Sequence, residues 1–429
     1  MILAAISVTA LLFVLMLIGI PVAFSLLIAG GIGLWWTGGW AVLIGILKGG
    51  PYEAVASYTL STLPMFILMA EFLSVGGVTR DIFVSANKWL AHRRGGLVYA
   101  ALAGGSFLAA VVGSSSAAAA SLANAAFPEM RRHGYKDSFA AGAIAVIGTL
   151  GLMIPPSIAF VLFGVLTETS IGKLLLAGIL PGVLTALGYL VAINIIVRID
   201  PQAAPSVLEK ASLRERVSSL RGVWPSMLLF GAIVFMIYGG VATTTEVGAL
   251  AALAAFVIVL VSRRMTPAKF WEALKNATQH SSMILVIVAL AGLYGVFLTL
   301  TGVTQDLVLY INSLDIAPIW ILLSIVAILL VLGCFMDQLA ILVLTVPVTM
   351  PILINLGYDP IWIGVIYVKA AEIGLATPPL GLNSFVVSAV TKLPVTTVFK
   401  GIWAFIAVDI VVLALLIAFP QIALLIPNF

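Results

Sequence analysis

Two short stretches of this 429-residue chain carry the residue types from which a binding site in an apolar protein is built. "GTLGLMIPPS" (Gly148 to Ser157) and "EIGLATPPLGLN" (Glu372 to Asn383) each place a glycine among apolar residues, then a Pro-Pro pair, then a polar residue. Proline lacks a backbone donor and breaks an α-helix. Each pair therefore interrupts a helix and frees backbone groups beside it. Freed carbonyls coordinate a cation, while the N-terminus of the resuming half-helix favours an anion. Ser114, Ser115 and Ser116 in "VVGSSSAAAAS" (Val111 to Ser121), with Thr377 and Asn383 beside the second break, offer neutral oxygens. Neutral oxygens with carbonyls suit an alkali cation such as Na⁺, whereas Ca²⁺ or Mg²⁺ draws several carboxylates. Asp337 in "GCFMDQ" (Gly333 to Gln338) stands apart. It either joins a site, binds a substrate hydroxyl or carries a proton.

Each of these residues also has a purely structural reading. Gly, Ser and Ala permit close helix packing in membranes, and "SSSAAAAS" fits that use. Lys369 and Glu372 lie three apart on one helical face at membrane depth. Such charges are either functional or neutralise each other. Glu71 and Asp409 read as structural groups near helix ends, and His92, His133 and His280, in or near loops and without ligand spacing, as solvent-exposed or interfacial residues. A lone cysteine, Cys334, excludes a disulfide framework and a thiolate metal cluster. No phosphate-binding loop of the G-x-x-x-x-G-K-[ST] kind occurs. A membrane enzyme would need a nucleophile–base or metal constellation, and a channel a repeated selectivity filter; the sequence has neither.

The elements that hold these residues are membrane helices. The chain is 62% hydrophobic and 9% charged, with mean hydropathy +1.22, too little charge to cover a soluble protein of this size. Run after run exceeds the roughly 20 apolar residues that cross a bilayer core. No strand-like alternation is visible, so the fold class is an all-α polytopic membrane protein. The first segment, from Ile2, lacks a basic start and runs past Pro21 into further apolar sequence, which reads as a membrane helix and not a signal peptide. The net charge of +4 is ordinary for basic cytoplasmic loops and calls for no nucleic-acid partner.

The chain also repeats itself. Pro128 pairs with Pro351, Gly134-Tyr135 with Gly357-Tyr358, Pro155-Pro156 with Pro378-Pro379 and Gly178 with Gly401, always 223 residues apart. "GVTRD" (Gly77 to Asp81) matches "GVTQD" (Gly302 to Asp306). Matched Pro and Gly carry weight because they fix backbone geometry. The expected halves are residues 1–197 and 223–429, joined by a cytoplasmic linker, 198–222. Charge inverts one half against the other. The loops "KWLAHRRGG" and "EMRRHGYKD" are basic, whereas their counterparts around "NSLDIAPI" and "NLGYDP" are neutral or acidic. Inverted-topology repeats of this kind occur in secondary transporters.

Basic clusters at both ends of the uncharged segment 95–127 imply a re-entrant hairpin, because a single crossing would leave one cluster outside. Its counterpart is 318–350, and the broken helices span 138–166 and 361–388. The count is about ten transmembrane helices plus two re-entrant hairpins, with both termini outside.

At these residues the chain resembles a known family. "PEMRRHGY", "LGLMIPPS", "MDQLAILVLTVPVTMPI", "GYDPIWIGV" and "EIGLATPPLGLNSFVV" are similar to the large membrane subunit, DctM type, of TRAP (tripartite ATP-independent periplasmic) transporters. The resemblance spans essentially the whole chain. It implies a permease of the bacterial or archaeal cytoplasmic (inner) membrane, and not an enzyme. In this family an elevator-type transport domain, with both hairpins and broken helices, slides against a scaffold and takes up organic acids under a Na⁺ gradient. The substrates are C4-dicarboxylates, sialic acid or similar carboxylates. A small four-helix membrane subunit, here expected as a separate polypeptide, braces the scaffold, and a periplasmic substrate-binding protein delivers the substrate. By position, one Na⁺ site falls at Ser114, Ser115, Gly151 and Pro155, and the other at Gly333, Asp337, Gly374 and Thr377. The substrate is expected between the tips, with Ser115, Ser116, Ser157, Asp337, Pro379 and Asn383 as its candidate contacts. The alternative is a stand-alone Na⁺- or H⁺-coupled carboxylate symporter or antiporter of related inverted-repeat architecture.

Overall fold

The computed structural model describes residues 1–112, 114–205, 211–313 and 316–428. Gly113 of the first expected tip, linker residues 206–210, and Leu314 and Asp315 of the acidic loop lie outside the described residues. Among the described residues the chain is helical, with no strand. It opens with α1 (Ile2–Leu17), α2 (Val22–Val55), α3 (Thr62–Val75) and α4 (Val78–Leu90). Two paired helices follow, α5 (Gly96–Val112) and α6 (Ser115–Arg132), then α7 (Asp137–Ile147), α8 (Ile158–Thr167), α9 (Ile171–Ala177) and α10 (Ile179–Ile199). After the linker come α11 (Leu213–Ser219), α12 (Trp224–Tyr238), α13 (Thr244–Val261), α14 (Pro267–Thr301) and α15 (Val303–Ser313). The chain closes with α16 (Pro318–Gly333), α17 (Gln338–Asn355), α18 (Pro360–Ala376), α19 (Leu382–Thr391), α20 (Val395–Ala418) and α21 (Gln421–Leu424).

Length and composition make this a multi-pass membrane protein. Seven described helical stretches are long and apolar enough to cross a bilayer, or eight with the bent pair Leu213–Gly222 and Trp224–Tyr238 taken as one span. Shorter apolar helices, among them Gly96–Leu108, Asp137–Leu152, Ile158–Thr167, Pro318–Gly333 and Leu382–Thr391, are the pieces into which the expected hairpins and broken helices divide. Ile2–Leu17 falls short as well, while Gln338–Asn355, an arm of the expected second hairpin, is counted among the seven. Large side chains such as Trp35, Trp36, Trp40, Phe235 and Trp403 stand exposed. Such a surface is tolerable only against acyl chains or another apolar partner.

Both Pro-Pro pairs interrupt helices. α7 tightens into a 3₁₀ turn at Gly148–Leu152 and the chain resumes as α8; α18 stops at Ala376 and resumes as α19. The Pro155–Pro156 and Pro378–Pro379 peptides are both cis. On the basic side, the linker fastens the ends of this region. The Gly95 N–H donates to the Ala204 carbonyl (3.3 Å) and the Lys136 N–H to the Ala203 carbonyl (3.0 Å), so the starts of α5 and α7 meet the same stretch of linker. The Lys136 ammonium also pairs with Asp200, and its hydrogen bond holds the exposed Asp200 carboxyl below the usual carboxylate range.

The helices sort by packing. α14 packs on α2 and α3, and α13 on α3; α20 packs on α7, α18 and α10. The α7–α20 crossing depends on glycine. A Cβ at Gly401 would overlap the Ser138 carbonyl and the Gly142 Cα, backbone that has no free end to swing aside. Gly401→Ala is therefore expected to destabilise the protein by about 1–3 kcal/mol through overpacking, read as a lower melting temperature in detergent; an unchanged melting curve would remove this crossing from the account.

Candidate functional site

Asp337 begins α17 as its N-cap, with one carboxylate oxygen accepting the Leu339 N–H at 3.0 Å. α16 ends immediately before it, so residues 334–337 form the tip of a helix pair. This tip is pressed onto the second break: a Cβ at Gly333 would stand 2.7 Å from the Gly374 Cα, and the Gly381 N–H donates to the Cys334 carbonyl at 3.3 Å. Thr377 caps the end of α18 and donates its hydroxyl to the Ile373 carbonyl at 2.6 Å. The structure thus brings Gly333 of α16 and Gly374 of α18 together, with Asp337 at the start of α17 and Thr377 at the end of α18.

The first half is built alike. Ser114, in extended conformation, is the N-cap residue of α6, 223 residues before Asp337. α5 and α6 both pack on the 3₁₀ turn that contains Gly151, followed by buried Pro155. Ser114 and Ser116 hydroxyls lie 3.3 Å apart. The buried Ser115 hydroxyl donates to Asn383 Oδ1 (3.3 Å), and Asn383 Nδ2 reaches the Ala145 carbonyl (3.4 Å). Asn383 therefore ties the second broken helix to the first tip and to α7.

Between the tips lies a cavity of about 460 Å³. One wall is Ser114, Ser115, Ser116, Asp337, Gln338 and Leu339, the starts of α6 and α17. A second wall comes from α3, through Ile67, Ala70 and Glu71, and from α14, through His280, Met283 and Ile284; Leu152, Ile158, Ala159 and Val386 add lining from the broken helices. Of the expected substrate contacts, Ser115, Ser116 and Asp337 line it. Ser157, Asn383 and Pro379 stand outside this lining: Ser157 is buried, capping α8 and donating to the Leu152 carbonyl (2.6 Å), Asn383 is the bridge above, and Pro379 is exposed.

Two residues read as peripheral in the sequence line the cavity. His280 is exposed, as expected, but stands within the 35-residue α14, started by the Thr266 cap and Pro267, and not in a loop. Glu71 lies four residues from the end of α3, near a helix end as expected, and lines the cavity with Oε1 3.3 Å from His280 Nδ1 and Oε2 accepting from Asn276 Nδ2 (3.2 Å). The spacing Asn276, His280, Ile284 places all three on one helix face, a signal present in the sequence.

Behind the cavity sits a second polar cluster. Lys369 Nζ contacts Asp409 (2.7 Å), Glu372 (3.1 Å) and Thr185 (3.1 Å), and all three ionisable residues are at most 1% exposed. The Tyr189 hydroxyl lies 2.7 Å from both Asp409 oxygens, and Thr149 of the first 3₁₀ turn donates to Glu372 at 3.1 Å. Lys369 and Glu372 do pair, as one of the sequence readings has it, but with a third ion. Asp409 stands within α20, well away from its ends, which corrects the helix-end expectation.

A family model described as "Tripartite ATP-independent periplasmic transporter, DctM component" matches residues 9–422. The C4-dicarboxylate TRAP transporter large permease protein DctM of Pseudomonas aeruginosa is 37% identical over 379 residues, 88% of each chain. The sialic acid TRAP transporter large permease protein SiaM of Vibrio cholerae is 32% identical over 375 residues, 87% of each. Among solved structures, the crystal structure of the Alcanivorax borkumensis YdaH transporter superposes with a TM-score of 0.62 at 14% identity over 88% of both chains, a likeness of fold.

Removing the one cation of the buried cluster leaves Glu372 and Asp409 without a counter-ion, held only by the Thr149 and Tyr189 hydroxyls. Lys369→Met is expected to cost about 3–5 kcal/mol of stability, measured by denaturation in detergent. Lys369→Met combined with Asp409→Asn is expected to recover part of that loss; equal stability of wild type and Lys369→Met would mean that the cluster is not ionic.

Proposed function

The chain belongs to the DctM-component family of tripartite ATP-independent periplasmic transporters, and we propose that it takes up an organic acid by a Na⁺-coupled elevator motion. It is a multi-pass inner-membrane transporter permease and not an enzyme. The observation that carries the proposal is the cavity with two unlike walls. One wall is the pair of hairpin tips, each packed on its own broken helix; the other is α3 and α14, which belong to a different packing group. A site split in this way opens to alternate sides when one group slides along the other. The hairpins are read as re-entrant, the halves as inverted repeats and the tip-bearing group as the transport domain. The 223-residue register between Pro155-Pro156 and Pro378-Pro379, and between the N-caps Ser114 and Asp337, supports that reading.

Carbonyls at the two breaks, with Ser114, Ser115, Gly151 and Pro155 at the first and Gly333, Asp337, Gly374 and Thr377 at the second, would each hold one Na⁺. Substrate is delivered by a periplasmic binding protein, and a small four-helix membrane subunit braces the scaffold. Relatives named for C4-dicarboxylates and sialic acid support an organic-acid cargo.

Sodium binding to the folded protein stabilises it by mass action, about 2.7 kcal/mol at a hundredfold excess over the dissociation constant. A higher melting temperature in NaCl than in equimolar KCl is the expected result, and Thr377→Ala is expected to reduce the difference. Equal melting in the two salts would count against sodium coupling. Ready uptake of free substrate by liposomes containing this chain alone would favour a stand-alone symporter over the tripartite system.

A further inference from the structure

The two walls of the cavity differ in hydrogen-bonding character as well as in origin. On the tip wall, Gln338 is 3% exposed and its amide nitrogen has no partner among the described residues. A buried amide donor left unpaired is costly, and this one lines the cavity beside the Ser116 hydroxyl and the amino-terminal end of α6. Asp337, on the same wall, turns one oxygen back to the Leu339 N–H, and in the sodium reading above its charge would be set against Na⁺. With Na⁺ bound, the tip wall would present the Gln338 amide and the Ser116 hydroxyl as donors to a carboxylate.

The wall from α3 and α14 presents a carboxylate of its own. Glu71 is only 16% exposed, and its two oxygens are supported separately by His280 Nδ1 and Asn276 Nδ2. The imidazole nitrogen nearest this carboxylate is engaged with it. No Lys or Arg lines the cavity among the described residues. An acid spanning the cavity with its carboxylate on the tips brings its far end to Glu71. A second carboxylate there meets a like charge, whereas a hydroxyl or ammonium finds an acceptor with free lone pairs.

We infer that Glu71, held by His280 and Asn276, sets the substrate class: a carboxylate bearing a hydrogen-bond donor at its far end, with unsubstituted dicarboxylates disfavoured. This rests on the reading of the cavity as the organic-acid site.

Three acids of matched length isolate the far-end group: succinate, 4-hydroxybutyrate and 4-aminobutyrate. Each is titrated against the purified full-length protein in NaCl, with thermal stabilisation as the readout. The expected wild-type result is at least about tenfold tighter apparent binding of the hydroxy and amino acids than of succinate, the scale of a like-charge penalty at a partly buried site. Glu71→Gln is expected to erase that preference, and His280→Gln, which leaves the carboxylate in place, to preserve the ranking. Succinate binding wild type as tightly as the other two overturns the inference while leaving an organic-acid site intact, as does an unchanged ranking in Glu71→Gln. The wild-type ranking alone decides if that variant does not fold. Failure of all three acids to stabilise the wild type removes the organic-acid reading itself, and the inference with it.

Discussion

Inside hydrocarbon a backbone N–H or C=O without a partner costs several kcal/mol, so a helix interrupted at membrane depth must be covered by protein or by a polar cavity. The rest of the structure follows from that constraint. Two Pro-Pro pairs interrupt α7–α8 and α18–α19, and each interruption is covered by the tip of a helix pair pressed onto it. Glycine makes the fit close enough: Gly333 and Gly374 meet backbone to backbone, and Gly381 reaches the Cys334 carbonyl. Once each tip is bound to its break, the starts of α6 and α17 face one cavity from the same side, and α3 with α14 closes the other.

The two halves share this frame and divide its chemistry unequally. Where the second half has Glu372, the first has Thr149, 223 residues earlier, and these two are hydrogen-bonded to each other. Where the second tip is capped by Asp337, the first has Ser114. The second half supplies Lys369, Glu372 and Asp409, and the first answers with the neutral Thr149, Thr185 and Tyr189. Asn383 stitches the halves on the cavity side through Ser115 and Ala145, and the ionic cluster stitches them behind it. The region around both breaks is in this way one packed body rather than two.

Features that act through the backbone were legible in the amino-acid order. Paired prolines at a constant spacing announce breaks in any chain, and basic clusters at both ends of 95–127 announce ends that lie together. The Gly95 and Lys136 bonds to adjacent linker residues join those ends. Side chains whose meaning depends on a distant partner were not legible in the same way. Asp409 gives no local sign of Lys369 forty residues away, and Glu71 needs α14 beside it to become part of a cavity wall. Around His280 the stretch "KNATQHSS" is polar and gives no local sign that it continues without interruption into apolar helix. Span counting misleads where helices are deliberately short, as in α8 and α19 at ten residues each.

The distance between Lys369 and Asp409 along the chain also bears on how the protein is made. A ribosome delivers α18 to the membrane well before α20, so Lys369 and Glu372 arrive while their third partner is still unmade. A lone lysine at the centre of an inserting helix is disfavoured by about 2.5–3.5 kcal/mol, which Glu372 one turn away, Thr185 and the neighbours already in place must offset meanwhile. Biogenesis therefore passes its least comfortable point between the emergence of α18 and that of α20. When α20 arrives, Asp409 closes a knot of charge that Thr149, Thr185 and Tyr189 are already placed to receive.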